Sequence, residues 1–166
     1  MEGEAIEQEL IVEQKCQQLL QQALARNATD IHFLPKKNRY ELLLRQFGTF
    51  TSIGQIPSEL ASRMISYFKF LSSLDISEKR KPQSGAFTQS FNGVDYSFRT
   101  STLPSAYQKE SLAIRLLRQN YTLPIDALCH FPQSAKQLLQ LLQQKSGLIL
   151  ISGATGPRSG HVFLVK

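Results

Sequence analysis

Apolar residues recur at helical spacing over residues 5–26, where Ile6, Leu10, Cys16, Leu19, Leu20, Ala23 and Leu24 fall near one face among glutamine and glutamate. Asn27 suits the end of that helix. The pattern then shortens to alternation: Asp30-Ile31-His32-Phe33 ahead of Pro35, Tyr40 to Arg45 ahead of Gly48, and Phe50 to Ile56. Such runs, bounded by proline and glycine, predict strands with turns between them. Pro57-Ser58-Glu59 opens a second helix, because proline is tolerated in a first turn and a carboxylate favours that end. Leu60, Met64, Tyr67, Phe68 and Leu71 give it a buried face. Pro82, Gly85 and Asn92-Gly93 punctuate a second strand group, and Asn-Gly between GAFTQSF and VDYSFRTST is a strong hairpin signal. A further strand is predicted from Ser111 to Leu117.

Asn120 to Pro132 carries two prolines and little periodicity, which predicts a linker. Ser134 through Gln144 then reads as a helix with Ala135, Leu138, Leu139 and Leu142 inward, and Gly147 ends it before an apolar strand, Leu148 to Ile151. The prediction is an α+β domain, a linker, and a helix–strand–loop unit. In residue numbers these are an N-terminal helix 1–27, the domain 28–119, the linker 120–133 and the last unit 134–166.

Composition changes this picture little. The 166 residues are 42% hydrophobic, enough to fill a core, and no run of eighteen apolar residues offers a membrane span. The acidic, polar start MEGEAIEQEL is unlike a secretory signal, so a cytoplasmic protein with reduced thiols is expected. Cys16 and Cys129 form no metal-ligand spacing, and Cys129-His130 reads as a small cysteine beside a loop histidine. No metal is expected there. The net charge of +6 suits a nucleic acid, an anionic membrane surface or a nucleotide. Basic residues are scattered apart from Lys79-Arg80-Lys81, and no aromatic ladder accompanies them, so charge alone does not choose.

The stretch GLILISGATGPRSGHVFLVK (147–166) carries the candidate chemistry. An apolar strand entering Gly153-Ala154-Thr155-Gly156 is how a chain enters a phosphate-binding loop, whose full pattern is G-x-x-x-x-G-K-[ST]. Glycines let backbone N–H groups approach phosphate, the lysine neutralises the terminal phosphates, and the hydroxyl holds magnesium. Counted from Gly153, the last three places hold Arg158, Ser159 and Gly160. Taking Pro157-Arg158 as an insertion aligns Ser159-Gly160-His161-Val162 instead, which still lacks the lysine and the hydroxyl. By spacing alone, a degenerate phosphate loop and a chance glycine turn are equally good readings, and no ATP hydrolysis is expected of this polypeptide.

Six segments occur in order: ATDIHFLP (28–35), LLLRQFGTF (42–50), LDISEKRKPQSGAF (74–87), DYSFRTSTLPS (95–105), ESLAIRLL (110–117) and GLILISGATG (147–156). Together they resemble the traffic ATPases of type II secretion, type IV pili and DNA-uptake machines, and the competence branch most of all. That family reads roughly A-S-D-I-H-x-x-P, R-x-x-G, D-I-A-E-K-R-x-P-Q-D-G, R-x-S-T-x-P and G-E-x-x-x-L-R before its phosphate loop. The E-K-R-x-P-Q-x-G and R-x-S-T-x-P blocks are its most specific matches.

The resemblance implies a PAS-like N-terminal domain, an antiparallel sheet with helices, followed by the first helix and strand of a RecA-like domain. It implies ATP and magnesium for the parent family, none of it held tightly by this chain. It also implies a ring hexamer, partners in the membrane platform protein and pseudopilins rather than nucleic acid, and a place at the inner face of the membrane. Arg99 and Arg115 match the arginines that reach over the nucleotide, with Gly153, Ala154, Thr155 and Gly156 in the loop. From the residues alone, Arg99 is equally well a strand arginine paired with Asp95 or Glu110, a solvated-loop or structural role suits Arg80 and Arg45 at least as well as a ligand role, and Asp30 and His32 read as structural. Lys109 stands where the family has glycine, with one residue extra after Pro104, and the match stops after Gly156. So sharp a stop points to a shifted reading frame, an engineered junction or a shortened gene. The rival functions are a naturally short regulatory subunit of such an ATPase and, further off, a basic nucleic-acid-binding module.

Overall fold

The computed structural model describes residues 2–105, 108–119, 124–125, 129, 131–148 and 164–165. They divide into two compact units, Met1–Gln119 and Asn120–Lys166. The first is α+β. Helix α1 (Glu2–Ala25) precedes strands β1 (Asp30–Pro35), β2 (Arg39–Gln46) and β3 (Thr49–Pro57), then helix α2 (Ser58–Leu71) and strands β4 (Gln83–Phe91), β5 (Val94–Ser105) and β6 (Lys109–Arg118). All six strands pair antiparallel in the order β3-β2-β1-β6-β5-β4. Two three-stranded meanders thus meet where the first strand lies against the last. Asn92 and Gly93, at φ 51° and 75°, make the two-residue turn between β4 and β5, as the Asn-Gly signal requires.

Alternation sends every second strand residue to the helices. Ile31, Phe33, Leu42, Leu44, Phe98, Leu112 and Ile114 form one core with Val12, Cys16, Leu19, Leu20 and Ala23 of α1 and Ala61, Met64, Ile65 and Phe68 of α2. Phe33, Phe68, Phe87 and Phe98 run through it ring to ring at 4.8–6.2 Å, edge-on at one end and stacked at the other. Burial holds the Cys16 thiol protonated, its pKa far above the ordinary thiol range.

The predicted helix faces hold at Cys16, Leu19, Leu20, Ala23, Met64 and Phe68 and depart from expectation at a few positions. In α1 Leu10 is exposed and Val12 buried. In α2 the stripe is Ala61, Met64, Ile65, Phe68 and Lys69, while Leu60, Tyr67 and Leu71 lie at its margin. That stripe includes Lys69, a residue the hydropathy pattern assigns to solvent. It is wholly buried because Glu110 Oε1 at 2.9 Å and the Glu78 carbonyl at 2.7 Å accept from its ammonium.

In the second unit α3 (Pro132–Leu142) buries Ala135 and exposes Leu139 and Leu141. Strand β7 (Gly147–Leu148) pairs antiparallel with β8 (Leu164–Val165). The rest of the predicted strand through Ile151 lies outside the described residues.

Candidate functional site

Both helices of the first unit contribute to the core on one face of the sheet, and alternation sends the remaining strand residues to the other face. The residues next to Leu44, Ile31, Ile114 and Thr100 in the strands, namely Arg45, Asp30, Arg115 and Arg99, therefore share that second face. Register also makes them neighbours in one row. Arg45 lies opposite Asp30, Asp30 opposite Arg115, and Arg115 opposite Arg99.

Arg115 Nε donates to Asp30 Oδ1 at 2.9 Å, and the Thr29 hydroxyl donates to Asp30 Oδ2 at 2.8 Å. Asp30 is buried and Arg115 60% exposed at the side chain. Arg99 is exposed, and among the described residues neither carboxylate named by the sequence reading pairs with it. Asp95 accepts from the Ser90 hydroxyl, and Glu110 is taken by Lys69 across the core. The cross-strand pairing of Arg99 with Asp95 or Glu110 is thus corrected: its neighbours across the sheet are Ala86 and Arg115.

Arg45 carries its guanidinium over the Phe50 ring, 5.7 Å from the centroid, and Phe50 meets His32 edge-on at 5.1 Å. Burial lowers the His32 pKa from its ordinary value, with Asp30 opposing and Arg45 and Arg115 reinforcing the shift. His32 Nε2 is buried without a hydrogen-bond partner among the described residues, which fits a neutral ring.

This row holds three guanidiniums and one carboxylate, and that carboxylate already serves Arg115 and Thr29. Two like charges directly opposite each other destabilise an isolated sheet. An anion set between Arg99 and Arg115 relieves the repulsion and receives forked, charge-assisted hydrogen bonds. Magnesium does not fit here. Both Asp30 oxygens are engaged, and among the described residues no three His, Cys, Asp or Glu side chains gather for a metal.

Of the residues singled out in the sequence, Arg99 and Arg115 are brought together, whereas Gly153, Ala154, Thr155 and Gly156 lie outside the described residues. Lys79, Arg80 and Lys81 are exposed, and Cys129 is a free, half-buried thiol. Alternation alone makes Asp30 an ordinary strand residue, and hydropathy alone assigns Lys69 to solvent. A lysine four residues after Ile65 on an apolar stripe was the available signal for the second. For Asp30 no local signal exists, since its partner is 85 residues away.

An antiparallel sheet backed by two helices, with a basic row on its other face, defines the class as an α+β domain. The chain matches the Type II/IV secretion system protein family over residues 5–164 and belongs to that family. It is 37% identical over 146 residues to the competence protein ComGA of Halalkalibacterium halodurans and 36% identical to that of Bacillus subtilis. These alignments cover 87% of this chain and 42% and 40% of those proteins. The type IV pilus assembly ATPase PilB of Acinetobacter baylyi is 34% identical over 83% of this chain and 24% of its own length. The chain therefore spans about two fifths or less of each of these relatives. Among the described residues no helix is long and apolar enough to cross a membrane.

Proposed function

We propose that this chain is the N-terminal part of a competence-type assembly ATPase and that its sheet domain carries nucleotide state into motion of a ring. The observation that carries the reading is the pairing of Arg99 with Arg115 on the exposed sheet face, in a row with a single carboxylate. Their guanidiniums reach over the terminal phosphates of ATP held by a motor domain and draw the two domains together. A ring hexamer then passes that closure to a membrane platform protein and pseudopilins at the inner face of the membrane, without touching DNA. The names of the relatives, competence protein and pilus assembly ATPase, support this assignment. With Arg158, Ser159 and Gly160 at the places of the lysine and the hydroxyl, this polypeptide itself does not turn over ATP.

The test is a titration of the chain with tripolyphosphate at low ionic strength, followed through the Nε–Hε resonances of its arginines. Two exposed arginine contacts give weak binding, on the order of 1 mM. Arg99 and Arg115 signals should shift together, and Arg99→Ala or Arg115→Ala should abolish the response. Equal shifts at every surface arginine, untouched by either substitution, would overturn the reading.

A further inference from the structure

Asp30 has no part in that account, yet its setting is unusually well defined. It meets Arg115 at Nε, the guanidinium nitrogen nearest the stem, which leaves the N–H donors of both Nη groups for another acceptor. Its second oxygen accepts from Thr29. Thr29 is itself fixed, since its amide donates to the Arg45 carbonyl at 2.8 Å and its carbonyl accepts from the Leu116 amide at 2.9 Å. The carboxylate is therefore held by β1, β2 and β6 together, while the arginine it grips remains largely in solvent.

We infer that Asp30 is a positioning residue: it anchors the stem of Arg115 so that the outer edge of the guanidinium stands ready beside Arg99 for a phosphate. The inference rests on the phosphate reading above. A side chain ordered beforehand gives up less freedom on binding, worth roughly threefold to tenfold in affinity for one long side chain. A mere counter-ion would act in the opposite sense, because deleting it raises the local positive charge and strengthens anion binding. The sign of the effect separates the two roles.

The experiment compares tripolyphosphate affinity among the wild-type chain, Asp30→Ala, Asp30→Asn, Thr29→Val and Arg115→Ala. The expected result is roughly threefold to tenfold weaker binding in Asp30→Ala, with faster solvent exchange of the Arg115 Nε–H before any ligand is added. Asp30→Asn keeps an acceptor oxygen and should restore most of the affinity. Thr29→Val leaves every charge in place, removes the hydrogen bond to Oδ2, and should weaken binding in the same direction. It decides the matter if Asp30→Ala does not fold. Unchanged or tighter binding in Asp30→Ala, or in Thr29→Val where the alanine variant is unfolded, overturns the role of Asp30 alone, provided that Arg115→Ala still abolishes the response. Failure of the wild-type chain to bind, or indifference to Arg115→Ala, overturns the phosphate reading and this inference with it.

Discussion

The ammonium of Lys69, wholly buried between α2 and β6, shows how much one residue can decide. It donates to Glu110 and to the Glu78 carbonyl, so it ties the helix, the last strand and the loop after the helix to one point. A buried ion pair is weak evidence of net stabilisation, but breaking one half leaves an uncompensated charge, at a cost of about 3–5 kcal/mol. Lys69→Met should therefore lower the urea midpoint sharply. Lys69→Met with Glu110→Leu should recover most of the loss, as both charges are then gone. An equal loss in the single and double variants would show that the Glu78 carbonyl is the contact that matters.

The loop from Asp75 to Gln83 gives the most specific sequence block a physical reason. Gln83 donates to the Asp75 and Glu78 carbonyls and accepts from the Asp75 amide, while Asp75 accepts from the amide and hydroxyl of Ser77. Those Ser77 hydrogen bonds hold the Asp75 carboxyl below its ordinary pKa. The end of α2 then lands on the sheet, where the Ser72 hydroxyl donates to Thr100 Oγ1 at 2.7 Å. Gly85, opposite Thr100, permits this approach, since a Cβ there would lie 2.4 Å from the Ser72 carbonyl oxygen and 2.9 Å from Leu74 Cδ2. Gly85→Ala should cost about 1–3 kcal/mol through overpacking, measured as a shift in urea midpoint. A neutral substitution would mean that this turn is free to move away. The acid, glutamine and glycine of the motif were legible as a pattern, but their roles as loop fasteners were not, because each acts through contacts that spacing does not reveal.

At the scale of the molecule, the core cluster of the first unit uses, among the described residues, none beyond Leu116. A chain ending at Gln119 should therefore fold by itself, with a cooperative urea transition and the Arg99 and Arg115 resonances in place. A non-cooperative transition in that shortened chain would show that the sheet depends on residues after 119. Strand β1 is paired on both sides, with β2 and with β6, so the N-terminal strand of the sheet is satisfied on its second edge only by the strand that ends the unit.

The sequence by itself determined the elements and their inward faces along the sheet, because alternation and turn residues act over a few neighbours. It also determined the family, through ordered blocks such as the one ending in Gly85. It did not determine which strands are adjacent. The meeting of β1 with β6 puts Asp30 against Arg115, and the register of β5 on β6 puts Arg99 on the other side of Arg115. A slip of one residue in either pairing would turn these side chains to the other face. Only tertiary packing sets that register, through apolar residues such as Ile31, Ile114 and Phe98 that must all reach the same core. Burial of Lys69 has the same origin: its hydropathy points to solvent, and only the folded chain supplies the carboxylate and carbonyl that let it go inside.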